Sequence, residues 1–199
     1  MRSIAAVLLL AQLAAPTLAV QAEQPPALQP TRDVSVTYRI SRAGEASDVE
    51  RIQVSYADHD QRVRLEFFSR LTKKAIGAII YDATANHVLT LVPAQGVYYE
   101  VPATGRANPG VLLSDKMRYI RAGSATVAGL SCTEWQVTNG RDFQGTACIT
   151  ADGVALRATR SKPDQESLEA VLVRYGTPPD ALFEPGPELH LAPAPADGQ

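Results

Sequence analysis

The run from Val127 to Leu156 decides the fold: Val127-Ala128-Gly129-Leu130-Ser131-Cys132-Thr133-Glu134-Trp135-Gln136-Val137-Thr138-Asn139-Gly140, then Phe143-Gln144-Gly145-Thr146-Ala147-Cys148-Ile149 and Asp152-Gly153-Val154-Ala155-Leu156. Apolar and polar residues alternate at the period of a half-buried strand. Asn139-Gly140 and Asp152-Gly153 are hairpin-turn dipeptides. A first hairpin turning at Gly140 places Cys132 opposite Cys148, Trp135 opposite Gly145 and Val137 opposite Phe143. Its other face then carries both cysteines with Glu134, Thr146, Gln136 and Gln144. A second hairpin at Asp152-Gly153 pairs Ile149 with Leu156 and Ala147 with Ala158. Both hairpins assign Ala147 and Ile149 to one apolar face, and a one-residue slip in either would break that agreement.

The same alternation runs through the rest of the chain. Val34 to Ile40, Ile52 to Tyr56, Val63 to Phe67, Ala75 to Asp82, His87 to Val92, Val97 to Val101 and Leu168 to Tyr175 all read as strands. With the three in the deciding stretch, the expectation is about ten antiparallel strands. Asn108-Pro109 has the form of a capping residue followed by proline at the first helical position, so a short helix is expected over Asn108 to Asp115. The fold class expected is mainly β: a curved sheet, an incomplete barrel, with one or two short helices against its concave face.

The N-terminus carries an export signal. Arg2 precedes an apolar run from Ile4 to Leu13, then Pro16 and small residues ending at Val20-Gln21-Ala22. This reads as a signal peptide over residues 1–22, cleaved after Ala22 with Ala19 as second choice. The run is short of the roughly 20 residues a bilayer span requires, so no transmembrane segment is expected after cleavage, and no cysteine near the site offers a lipid anchor. Residues 23–31 read as a Pro-rich linker, 32–184 as one domain, and 185–199 as a disordered Pro-rich tail. The expected compartment is the periplasm. Two cysteines in an exported chain are most simply one disulfide, Cys132–Cys148. With 19 Lys and Arg against 21 Asp and Glu, nothing in the charge balance calls for a nucleic-acid partner.

No motif here carries catalysis. Gly129-Leu130-Ser131-Cys132-Thr133 lacks the second glycine of a nucleophile elbow, and there is no Gly-rich phosphate loop. Asp58-His59-Asp60 gathers possible ligands, with His87 and His190 elsewhere, but consecutive turn residues point in different directions. Neither a metal nor a cofactor is expected. A hydrolase would need Asp58, His59 and His87 together in a cleft. Lys73-Lys74, with Arg70 nearby, reads as a solvated loop.

Three stretches carry a family resemblance: Tyr81-Asp82 through Val92, Val97-Tyr98-Tyr99-Glu100-Val101-Pro102, and above all Val127 to Trp135 with its Gly129, Cys132 and Trp135. Together with the signal peptide and the strand order, they resemble the periplasmic lipoprotein-carrier superfamily of LolA/LolB-like proteins, nearest its DUF4412-like relatives. The resemblance implies an incomplete β-barrel around a hydrophobic cavity. The function it leads one to expect is non-enzymatic binding of a lipid, acyl chain or lipidated partner, with Phe67, Tyr99, Leu112, Leu113 and Trp135 as lining. The alternative is an envelope protein–protein interaction or stress-sensing module using the same face.

Overall fold

A computed structural model describes residues 24–42, 48–59, 61–103, 113–140, 143–162 and 166–193. Twelve strands form one sheet: β1 (Val34–Arg42), β2 (Val49–Ala57), β3 (Arg62–Ser69), β4 (Ala75–Asp82), β5 (His87–Val92), β6 (Val97–Pro102), β7 (Arg118–Val127), β8 (Leu130–Asn139), β9 (Phe143–Ile149), β10 (Ala155–Lys162), β11 (Glu166–Tyr175) and β12 (His190–Leu191). Their spatial order is β12-β6-β5-β4-β3-β2-β1-β11-β10-β9-β8-β7. Two antiparallel meanders, β1 to β6 and β7 to β11, are joined side by side where β1 pairs with β11. The sheet ends at β12 and β7 and is not closed into a barrel. It curls strongly, since β7 approaches both β9 and β11.

The expectation of about ten strands misses two. Strand β7 escapes because a bulge between Arg121 and Gly123 breaks its alternation. Strand β12 falls in the stretch read as tail. There the His190 N–H donates to Gly96 O at 3.0 Å and the Ala192 N–H to Tyr98 O at 2.9 Å, adding a parallel rung to β6.

The helix expected over Asn108 to Asp115 falls largely outside the described residues. Asn108 to Leu112 lie outside the described residues, while Leu113 to Asp115 are not helical. Among the described residues the only helical turns are two 3-10 turns, Pro93–Gln95 and Asp180–Phe183.

Register settles the faces. Trp135, Ala147, Ala158, Leu168 and Ile40 are successive partners across β8, β9, β10, β11 and β1. Tyr38, Ile52 and Phe67 continue the same face through β2 and β3. On this core face Val34, Val36, Val63 and Leu156 are 0% exposed. The curled sheet therefore fills much of its own interior with Val, Ile, Leu and Tyr side chains, the residue types a pleated, half-buried surface favours. The Tyr38 hydroxyl donates to Ala155 O at 2.8 Å, and burial pushes its pKa well above that of a free tyrosine.

On the opposite face, Ser35 and Ser55 hydroxyls meet at 2.9 Å. Near β4 to β6 that face turns apolar. Ala78, Ile80, Leu89 and Leu91 are there covered by Phe183 and Leu189 of the returning C-terminal segment. Arg62 fastens this cover, donating to Asp180 at 2.7 Å and lying 4.8 Å from the centre of the Phe183 ring.

The deciding hairpins form with one shift. Trp135 faces Ala147, Glu134 faces Cys148, and Val137 faces Gly145, so the register lies two residues from the expected one. Asn139 pairs with Phe143, which makes the connection longer than a two-residue Asn-Gly turn. A shift of two keeps pleat parity, so the cysteines stay on the face opposite Trp135. They bond diagonally, with Cα atoms 5.4 Å apart. In the next hairpin Ala147 meets Ala158 as expected, but a bulge between Ala155 and Arg157 gives Ile149 the partner Ala155 instead of Leu156.

Candidate functional site

At its β8–β9 end the core face carries a compact buried cluster. Trp135 is 7% exposed and packs with Val137, Ala147, Ile149, Ala158 and Leu113. Tyr119 meets it edge-on, with ring centroids 6.4 Å apart and planes at 85°. The Tyr119 hydroxyl donates to Ser114 O at 2.9 Å, and burial pushes its pKa up to about 12. This contact fixes the segment that brings Leu113 onto the face. The Trp135 indole Nε1–H is buried, and no acceptor among the described residues reaches it.

A cleft of about 460 Å³ opens beside this cluster. Trp135, Thr133, Ile149 and Arg121 form the sheet wall, and Gln24 to Ala27 form the other. The second wall belongs to the stretch read as a linker, which lies against the sheet. Leu28 packs into the Trp135 cluster, Pro30 is buried, and the Thr31 N–H donates to Asp152 O at 2.9 Å.

Asp152 is the anchor of that segment. Its carboxylate accepts from Arg32 Nε at 2.8 Å, from Thr150 Oγ1 at 2.5 Å and from the Tyr175 hydroxyl at 3.4 Å. The Arg32 guanidinium also lies 3.7 Å over the Tyr175 ring. Burial alone would raise the Asp152 pKa, but the hydrogen bonds from Thr150, Arg32 and Tyr175 outweigh it and hold the carboxyl below its ordinary range.

Gly153 is required at the neighbouring position. Its φ is +89°, and a Cβ there would sit 2.1 Å from the Gln29 carbonyl oxygen. The turn itself is closed by the Gly153 N–H on Thr150 O at 3.1 Å and the Val154 N–H on Thr150 Oγ1 at 2.9 Å.

The structure brings Leu113 and Trp135 together in one cluster. Phe67 lies on the same pleat face but packs into the central core, around Ile52 and Leu65. Tyr99 faces the same way, opposite Thr90, yet stands outside the buried clusters and donates its hydroxyl to Gln95 at 3.2 Å. Leu112 lies outside the described residues. Arg121, Thr133, Ile149 and Leu28 also belong to the site. Alternation puts Thr133 and Ile149 on the face of Trp135, whereas nothing local marks Arg121 or Leu28.

The candidate ligands Asp58, His59 and His87 have structural surroundings. Asp58 accepts from Arg62 Nε at 2.5 Å, His59 sits in the same turn at φ 55°, and His87 Nδ1 lies 3.1 Å from Glu100. Among the described residues no group of His, Cys, Asp or Glu is placed to hold a metal, and no helix is long and apolar enough to cross a membrane.

No family model matches the chain, and no curated protein matches its sequence. Solved structures do share its fold. An uncharacterized conserved protein from Thermus thermophilus overlays with a TM-score of 0.56 at 12% identity, covering 82% of this chain and 91% of that one. MucB overlays at 0.51 with 14% identity, covering 81% and 60%. The Pseudomonas aeruginosa MucA/MucB complex gives 0.52 with 15% identity, covering 78% and 56%. This chain thus spans less than two thirds of MucB. A LolA superfamily protein from Nitrosomonas europaea is also matched, with a TM-score of 0.37, 10% identity, and 80% and 93% covered. At these identities the likeness is one of fold: the open, curved antiparallel sheet is shared with the Thermus protein and with MucB.

Proposed function

We propose that this protein is a non-enzymatic binding module of the cell envelope, exported to the periplasm, that holds a segment of a protein partner against the core face beside Trp135. The observation carrying this reading is the cleft beside Trp135, at one end of a core face whose centre is full. Val34, Val36, Val63 and Leu156 already fill its centre, which leaves the half-barrel little room for a deep acyl pocket. The cleft at Trp135, with Arg121 and Thr133 beside the indole, mixes polar and apolar lining in the manner of a surface that docks a polypeptide. A fold shared with MucB, which is found in complex with MucA, supports the same direction.

A second reading is a lipid or acyl-chain ligand, favoured by the apolar floor of Trp135 and Ile149. Purifying the protein from the periplasm without detergent, followed by native mass spectrometry, separates the two. The first reading predicts a co-purifying protein of defined mass, and the second a bound lipid. Protein that stays unliganded and binds neither envelope proteins nor fluorescent fatty acids would count against both.

A further inference from the structure

We propose that the groove beside Trp135 is a site for an extended, proline-containing polypeptide segment, and that residues 24–31 of this chain are its resident occupant, displaced when a partner segment binds. The inference rests on the binding-module reading and specifies its ligand.

Four observations carry it. First, the groove is already bounded by a peptide segment of this chain, Gln24 to Ala27. Gln24 to Thr31 crosses the Trp135 cluster as irregular backbone with no strand pairing, and its three prolines favour the extended polyproline conformation such grooves receive. Second, the sheet is shaped to receive backbone there, because the Gln29 carbonyl sits where Gly153 alone leaves space.

Third, the occupant is fastened at its C-terminal end. Leu28 packs on the cluster, Pro30 is buried, the Thr31 N–H donates to Asp152 O, and Arg32 pairs with Asp152 and stacks over Tyr175, whereas Gln24, Pro25 and Ala27 are exposed. Fourth, it leaves a donor unused. The Trp135 Nε1–H is buried without an acceptor, and such a group favours any occupant that brings one.

The ligand chemistry follows from the resident segment. A competing segment needs an apolar side chain where Leu28 sits, a basic residue four positions later for Asp152, and a backbone carbonyl within reach of the indole N–H. Proline in the stretch between keeps it extended.

Trp135 is the only tryptophan in the chain, so its fluorescence reports this groove alone. Leu28→Ser in the whole exported protein should shift Trp135 emission to the red and raise acrylamide quenching at least twofold, with the β-sheet circular dichroism unchanged. A synthetic peptide of residues 24–32 should then reverse the shift in the variant and leave the unaltered protein unaffected. The same peptide carrying Leu28→Ser should bind at least tenfold more weakly. Should Leu28→Ser fail to fold, Arg32→Ala, at an exposed position, is read in the same way. Emission indifferent to both substitutions, or an opened groove that the peptide does not refill, would overturn the proposal. Neither result touches the wider reading, which stands or falls on whether an envelope partner is found.

Discussion

The Arg157 guanidinium reaches across the row occupied by Cys148 and donates to Glu134 at 2.7 Å. Glu134, Cys148 and Arg157 are successive partners on β8, β9 and β10, so the ion pair spans the strand that carries the cysteine. Glu169 extends the row, 3.9 Å from the other Arg157 nitrogen. The disulfide lies on the side of β8–β9 away from Trp135, and it is buried there in one hydrophobic cluster with Val34, Val36, Val154 and Leu156: Cys148 is 1% exposed and Cys132 5%. The alternation places both cysteines on the face opposite Trp135, and the structure keeps that face while covering the sulfurs, with Val127 in the same buried cluster.

Arg157→Ala should loosen the ion-pair row that flanks the disulfide. The rate of disulfide reduction by dithiothreitol should rise severalfold, while stability changes by only about 0–1 kcal/mol, the usual range for partly exposed ion pairs. Thiol trapping followed by mass spectrometry reads the first quantity and urea denaturation the second.

Removing the bond should cost far more. A cross-link between residues 16 apart in sequence is worth about 3 kcal/mol in the chain-entropy model. The double substitution Cys132→Ala with Cys148→Ala should lower the urea midpoint accordingly, and the loss should match that of the reduced unaltered protein to within the small cost of the side-chain change.

Leu156→Ala tests whether the interior is as full as its burial implies. Leu156 is fully buried in the same hydrophobic cluster as Val34, Val36 and Ala170, so truncation should cost about 2–5 kcal/mol. A loss well under 1 kcal/mol would mean that the half-barrel interior is loosely packed and has room for a ligand.

The N-terminal segment should detach in acid. The folded state holds the Asp152 carboxyl below its ordinary pKa, so its contribution is fully present at neutral pH and is lost as the pH falls through that lowered value. Trp135 emission should be flat from pH 7 to 5 and shift to the red only below about pH 4. In Asp152→Asn the transition should vanish and the red-shifted signal be present at neutral pH.

Much of the sheet was legible because period-2 alternation survives wherever one face is buried. Val34 to Ile40 and Val63 to Phe67 show it plainly. Where a bulge interrupts the period, as between Arg121 and Gly123 in β7, the strand disappears from view. The hairpin register was misjudged by two residues because a shift of two leaves every side chain on its face, and Asn139-Gly140 suggested a tighter turn than forms. Of the site, Trp135 and Leu113 could be read as apolar-face residues. The N-terminal segment could not, since Pro25, Pro26 and Pro30 have the composition of a linker. Its anchors, Asp152 and Gly153, lie more than a hundred residues away along the chain.

The most direct test of a partner-binding face is site-specific photo-crosslinking in the periplasm. A photoreactive residue replaces Thr133, which lines the Trp135 cleft, and in a matched control it replaces Gln136, exposed on the opposite face of the same strand. The account predicts one dominant protein adduct from position 133 and none from position 136. Equal adducts from both positions, or only lipid adducts from position 133, would contradict it.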